Sequence, residues 1–206
     1  MLETFDFVVV GGGSAGAVIA SRLSEDPTCR VVLIEAGERP PEVSSIPVAC
    51  VAMQLNPETD WMYVGDPGKA GLGLNGRRVP VPRGKMLGGS SSINYMAYVR
   101  GHPGDFDSWA ASGATGWSYD EVLPYFRKSE GLAPSDTVVI DKAAHGSTGP
   151  LGVSVRAPVI PAAAAFVQAA ETAGFIRGDY NGRDRGGAAV VSLFQTTTKD
   201  GKRSST

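Results

Sequence analysis

The hexapeptide Gly11-Gly12-Gly13-Ser14-Ala15-Gly16 constrains the fold of this chain more than any other stretch, because of what flanks it. Phe5 to Val10 is β-rich and nearly continuous in apolar residues, the pattern of a strand buried on both faces of a parallel sheet. The glycines break it abruptly. From Ser14 to Leu23 small and aliphatic side chains stand at Ala17, Val18, Ile19, Ala20 and Leu23, which predicts a helix packed closely on that sheet. Glu25-Asp26-Pro27 stops the helix, and Arg30 to Glu35 reads as a second buried strand. Strand, glycine turn, helix and strand within about thirty residues make a βαβ unit, whose crossover is right-handed.

In that frame the glycines fit G-x-G-x-x-G. Gly11 allows the tight turn, Gly13 lets the backbone approach a pyrophosphate, and Gly16 lets helix and strand pack closely. Ser14 and Ala15 fall at the helix start, where free N–H groups and the dipole favour a diphosphate. Glu35 ends the next strand 24 residues after Gly11, where a carboxylate accepts hydrogen bonds from both ribose hydroxyls of an adenosine and repels a 2′-phosphate. NAD and FAD share this crevice, and the turn itself does not choose between them.

Composition narrows the class. Glycine, at 27 of 206 residues, is nearly twice as frequent as the usual ~7%, yet no triplet repeat accompanies it, which excludes a collagen-like chain. A formal net charge of −2 disfavours a nucleic-acid tail, a polybasic membrane patch and an acidic disordered segment. Cys29 and Cys50 make neither a disulfide framework nor a zinc-ligand spacing, so structural thiols in a reducing compartment are expected, with no metal. The N-terminus has no basic segment, and no apolar run approaches the ~20 residues of a membrane span. The expectation is a soluble, cytoplasmic protein with no nucleic-acid partner.

Farther along, 39–76 is rich in Pro and Gly and reads as loop with short structured pieces around Trp61. Pro80 to Gly89 is predicted to be extended, and Ser90 to Val99 helical or irregular. Short helices are expected over Asp105 to Trp109 and Ser118 to Glu130, the second opening on the capping pattern Ser118-Tyr119-Asp120-Glu121. A polar loop follows to Gly149. After it come a strand over Leu151 to Val155, a helix over Ala162 to Ala173, a Gly/Asp-rich loop and a strand over Ala188 to Thr198. Trp61, Trp109 and Trp117 are expected as core or loop anchors.

The run from Gly84 to Gly101, GKMLGGSSSINYMAYVRG, followed by Asp107, resembles the first signature of the glucose-methanol-choline (GMC) flavin oxidoreductases at every defined position. Its paired glycines and three serines expose N–H and hydroxyl groups without bulk, a nest for phosphate, ribityl or flavin-ring oxygens, and Asn94 can both donate and accept there. Weaker matches extend the resemblance over the whole chain. They are Asp60-Trp61 with Tyr63, Pro82-Arg83-Gly84-Lys85, Asp105 to Trp109, Gly116-Trp117, Leu123 to Phe126, His145-Gly146 to Gly149-Pro150, and Gly201 to Ser205.

The resemblance implies FAD as the cofactor. Its contacts are then Gly11, Gly13, Ser14, Ala15, Gly16, Glu35 and Ala36 of the βαβ unit, Trp61 and Arg83, and Leu87, Gly88, Gly89, Ser91, Asn94, Tyr95, Met96 and Ala97 of the signature. It implies an α/β chain with a Rossmann-like FAD-binding domain over 1–148 and the start of a substrate-binding α+β domain over 149–206. The implied reaction is hydride transfer from an alcohol carbon to flavin N5, as an oxidase or dehydrogenase. Lyase chemistry, photodecarboxylation and a non-catalytic FAD-binding subunit are the alternatives. Family members with a histidyl-linked flavin place histidine just before the signature asparagine; here that position is Ile93, so the flavin is expected to be noncovalent.

The family's catalytic base is a histidine near its C-terminus, outside this chain. His102 and His145 stand in no such motif, so no catalytic residue is expected here. The substrate would be a small alcohol, and the partner a complementary C-terminal chain or segment of the same protein.

Overall fold

The computed structural model describes residues 4–183 and 189–206. They form two compact units, Met1–Met96 with Gly201–Thr206, and Ala97–Asp200.

In the first unit, strand β1 (Phe7–Val10), helix α1 (Ser14–Leu23) and strand β2 (Val31–Ile34) form the expected βαβ unit. The strands pair in parallel from Phe7↔Val31 to Val10↔Ile34. The burial expected for them is corrected. Val9 faces α1, whereas Val8 and Val10 are 58% and 81% exposed. Parallel strands are covered on both faces only when helices lie on both, and among the described residues α1 is the one helix that packs closely on this two-stranded sheet. After two 3-10 turns and the short helix α2 (Cys50–Met53), strands β3 (Tyr63–Gly65) and β4 (Val79–Val81) pair antiparallel. The signature begins with an extended bridge of Met86 to Glu38 and then turns through a 3-10 segment, Gly89–Ser92. Met53, Met86 and Ile93 form a small buried core beneath it.

The second unit opens with helices α3 (Pro103–Ala111) and α4 (Tyr119–Ser129). Both carry capping boxes: Asp105 accepts from the His102 N–H, and Glu121 from the Ser118 N–H. Phe106, Tyr119 and Leu123 form their shared core. Trp109, on α3, and Trp117, in the loop after it, are half-exposed rather than core; Trp109 packs edge-on to Phe106, and the two indoles pack edge-on to each other. Strand β5 (Glu130–Leu132) runs parallel to β6 (Leu151–Val155). Helix α5 (Pro161–Thr172) and strand β7 (Ile176–Arg177) follow.

The single strand expected over Ala188 to Thr198 is three short ones, β8 (Val190–Val191), β9 (Gln195–Thr196) and β10 (Thr198–Lys199). The chain changes partners there, since β8 pairs with β7 and β9 with β6, and one continuous strand cannot do both. Ala188 itself and the end of the Gly/Asp-rich loop, 184–187, lie outside the described residues. Strand β11 (Lys202–Arg203) belongs to the first unit. Among the described residues no helix is long and apolar enough to cross a membrane, and no group of three or more His, Cys, Asp or Glu is placed to hold a metal ion.

Candidate functional site

The site is built where β1 turns into α1. Gly13 caps α1 with extended backbone and no side-chain cap, so the first-turn N–H groups of Ser14, Ala15 and Gly16 are left without intrahelical acceptors. The two outer glycines of this turn serve different ends. A Cβ on Gly16 would lie 1.9 Å from the Gly11 carbonyl oxygen, so only glycine lets α1 sit this close to the turn. A Cβ on Gly13 would meet no protein atom nearer than Gly89 Cα at 3.9 Å. The room over Gly13 is therefore open, as the approach of a ligand to the backbone requires.

The second glycine motif lies directly against the first. The Gly88 N–H donates to the Gly12 carbonyl at 2.8 Å, and Gly13 and Gly88 form a bridge. Seventy-odd residues of chain thus return the signature to the dinucleotide turn, setting its glycine and serine N–H groups beside it. Glu35 is engaged as well: Oε2 accepts from the Gly12 N–H at 2.6 Å and Oε1 from the Gly37 N–H at 2.9 Å. Each carboxylate oxygen keeps a further lone pair, and Glu35 lines the cleft.

Asp60, which the sequence offered only as part of a weak match, is fully buried. Its carboxylate accepts from the N–H groups of Leu55 at 2.9 Å and of Met62 and Arg83 at 3.0 Å. Burial would raise its pKa, but these three bonds and the Arg83 charge outweigh burial and hold the carboxyl below its usual range. The clasp sets Trp61, which stacks on Tyr63 at 6.0 Å with Lys85 over its ring.

These elements enclose a cleft of about 720 Å³. Gly11, Gly13, Ser14, Ala15, Gly16, Glu35, Ala36, Trp61, Arg83 and Gly89 of the expected contacts line it, joined by Tyr63, Gly84 and Ser90. Leu87 instead leans toward Gly12 and lines a neighbouring groove beside Arg39 and Arg203. Tyr95 is exposed, Met96 is buried with a left-handed backbone, and Ala97 pairs with Thr196 in the second unit.

Ser91 and Asn94 are gripped by a residue that the sequence offered only as part of a weak match. Arg203 is buried, with Nε donating to the Ser44 carbonyl at 2.9 Å and Nη1 to the Ser91 carbonyl at 3.0 Å and to Asn94 Oδ1 at 2.9 Å. Its Nη2 has no hydrogen-bond partner. Burial lowers its pKa, opposed by the neighbouring Cys50 thiol.

A second polar cluster, in the other unit, contains the histidine that sequence alone left idle. Arg100 Nη2 donates to Glu130 Oε2 at 2.7 Å; His145 Nδ1 meets Glu130 Oε1 at 2.8 Å, and its Nε2 meets Asp179 Oδ2 at 2.8 Å. All four side chains are buried. Burial works against charge on His145, but the hydrogen bonds to Asp179 and Glu130 outweigh it and push its pKa up to about 9. The tetrad is then electroneutral, with alternating signs, and both ring nitrogens are occupied. His102 is a helix cap, its Nδ1 accepting from the Gly104 N–H at 3.1 Å.

The βαβ turn, the acidic strand end and the open backbone at Gly13 define the class of glycine-loop nucleotide-binding α/β proteins. Within it, the GMC oxidoreductase model matches residues 5–206, and the chain belongs to that family. It is 42% identical over 203 residues to the glucose dehydrogenase [FAD, quinone] of Drosophila pseudoobscura pseudoobscura, covering 97% of this chain and 31% of that one. It is 42% identical over 202 residues to the oxygen-dependent choline dehydrogenase of Brucella ovis, covering 96% and 34%. Among solved structures, pyridoxine 4-oxidase from Mesorbium loti superposes with a TM-score of 0.81 at 38% identity, covering 98% of this chain and 38% of that one. The chain thus spans about a third of the length of the curated relatives it matches.

Proposed function

We propose that this chain is the FAD-binding part of a flavin-dependent alcohol oxidoreductase. The observation that carries the reading is the contact of the two glycine motifs, Gly88 N–H on the Gly12 carbonyl and Gly13 beside Gly88, which makes one backbone-lined wall from two distant segments. The residues fit the cofactor. Open space over Gly13, the unpaired first-turn amides of α1 and the remaining lone pairs of Glu35 are what a diphosphate and an adenosine ribose require.

In this reading Ser14, Ala15 and Gly16 donate to the diphosphate, Arg83 adds its positive charge, Trp61 covers the cleft, and Leu87, Gly88, Gly89, Ser91, Asn94, Tyr95 and Met96 serve the rest of the cofactor. FAD, when bound, supplies the acceptor for hydride leaving an alcohol carbon. Attachment is noncovalent: Ile93, just before Asn94, is apolar and packed in the core with Met53 and Met86. Residues 1–148 form the cofactor part, and 149–206 begin the substrate part.

Neither histidine acts as the base. His102 is spent on a cap, and His145 is held at both nitrogens by carboxylates. The base and the remaining walls of the alcohol pocket belong to the rest of the protein, which also covers the exposed face of β1 and β2. A cytoplasmic location is part of the same reading, in keeping with only two cysteines, Cys29 and Cys50, that are not joined to each other.

Anaerobic addition of primary and secondary alcohols to the intact protein should bleach the flavin band near that of free oxidised flavin. A residue 1–206 fragment should leave it unbleached even where FAD is bound. Bleaching by the fragment at the rate of the intact protein would overturn the assignment of the base to the rest of the molecule.

A further inference from the structure

Asn94 Oδ1 receives two hydrogen bonds, from Arg203 Nη1 at 2.9 Å and from the Met96 N–H at 3.0 Å. A guanidinium and a backbone amide are donors only, so the atom they both approach must be the amide oxygen, whatever the ambiguity of carboxamide orientation elsewhere. The other end of the carboxamide, Nδ2, has no protein partner among the described residues, and Asn94 is exposed. The same guanidinium binds the Ser91 carbonyl and, through Nε, the Ser44 carbonyl, so one side chain ties a 3-10 turn, the signature backbone and the signature asparagine together.

Resting on the FAD-binding reading above, we propose that Arg203 is a positioning residue that fixes the Asn94 carboxamide with its NH₂ group outward, as a hydrogen-bond donor to an acceptor atom of the bound flavin. Arg203 touches no ligand in this role. It acts by occupying the oxygen end of Asn94, which leaves only donors to face the cofactor. Lysine cannot substitute, because a single ammonium on a flexible stem lacks the separate Nε and Nη1 donors that reach the Ser44 carbonyl on one side and the Ser91 carbonyl and Asn94 oxygen on the other.

The test uses the intact protein with Arg203→Lys, Asn94→Ala, Asn94→Asp and the double variant Arg203→Lys/Asn94→Ala. Two readouts are taken: hydrogen exchange of residues 88–96 in the apo-protein, and the flavin visible spectrum with FAD affinity by fluorescence titration. Asn94 is exposed and Arg203 buried, so the Asn94 variants keep the fold and decide the outcome if Arg203→Lys does not fold. Expected are faster exchange over 88–96 in Arg203→Lys, and a shared flavin band shift with at least about tenfold weaker FAD binding in Arg203→Lys, Asn94→Ala and Asn94→Asp. In the Asn94→Ala background, Arg203→Lys should add little to the spectral shift. An Arg203→Lys protein with wild-type exchange over 88–96, or one with a wild-type flavin band and affinity, overturns the proposal. So does an Asn94→Asp protein that binds FAD with wild-type affinity, because its carboxylate offers no donor. Wild-type protein that takes up no FAD sinks the cofactor reading, while the exchange result still decides whether Arg203 holds the loop.

Discussion

Replacing Gly16 or Gly13 by alanine separates folding from binding within one turn. At Gly16 the new Cβ would stand 1.9 Å from the Gly11 carbonyl oxygen and 3.4 Å from Val9 Cγ1, and the first of these is backbone that no rotamer change can relieve. An ordinary carbon–oxygen contact is more than an ångström longer, so α1 must lift off β1 or the turn must open. Overpacking of this kind costs about 1–3 kcal/mol, and a backbone clash belongs at the upper end. At Gly13 the backbone is φ −74, ψ −172, which alanine adopts without strain, and its Cβ meets nothing nearer than 3.9 Å. Gly13→Ala should therefore leave apo-protein stability within about 0.5 kcal/mol of wild type. It should nonetheless weaken FAD binding by an order of magnitude or more, because the methyl group occupies the space through which the diphosphate reaches the helix amides. Denaturant unfolding of the apo-proteins and fluorescence titration with FAD measure the two effects. If Gly13→Ala binds FAD as tightly as wild type, or loses as much stability as Gly16→Ala, the division of roles between the two glycines is wrong.

Glu35→Ala removes the acceptor of the Gly12 and Gly37 amides and, in the proposed complex, of the ribose; FAD retention should fall by about 1.5–3 kcal/mol in the same titration. Asp60→Asn can keep its amide oxygen under the Met62 and Arg83 N–H groups but then turns its NH₂ against the Leu55 N–H, so limited proteolysis should cut the 55–65 loop sooner, with a stability loss of about 1–3 kcal/mol by denaturant unfolding. For His145 the folded pKa, about 9, lies above the ordinary value of 6.5. The charged imidazolium thus stabilises the fold fully below about pH 6.5, and that contribution, on the order of 3 kcal/mol, is lost as pH rises through about 9. Hydrogen exchange around 130–146 should quicken over that interval in wild type, whereas His145→Gln should show raised exchange without the pH step.

What could be read from sequence was what neighbouring residues decide. The βαβ unit, the capping box at Ser118, and β6 over Leu151–Val155 follow from patterns a few residues long, and the structure has them. Misreadings arose where a distant partner decides. The apolar run of β1 looked buried, but Val8 and Val10 have no layer against them within the described residues. The β-rich stretch before Lys199 looked like one strand because alternation carries no record of a change of partner from β7 to β6. At the candidate site, the glycine turn and the signature announced themselves separately, but nothing local says that Gly88 closes on Gly12. Arg203 lies 109 residues from Asn94 and His145 lies 34 from Asp179, so neither grip leaves a periodic trace. The buried tetrad was the least legible of all, since four ionisable side chains scattered through polar segments read individually as solvated surface.

The central claim, that the two glycine motifs together hold FAD without a covalent bond, is tested most directly by identifying what the intact protein releases on acid precipitation. FAD in the supernatant at about one equivalent per chain, with a colourless pellet, is the predicted result. NAD in place of a flavin would contradict the cofactor assignment, and yellow colour retained in the washed pellet would contradict the assignment of Ile93 as a position with no linkage.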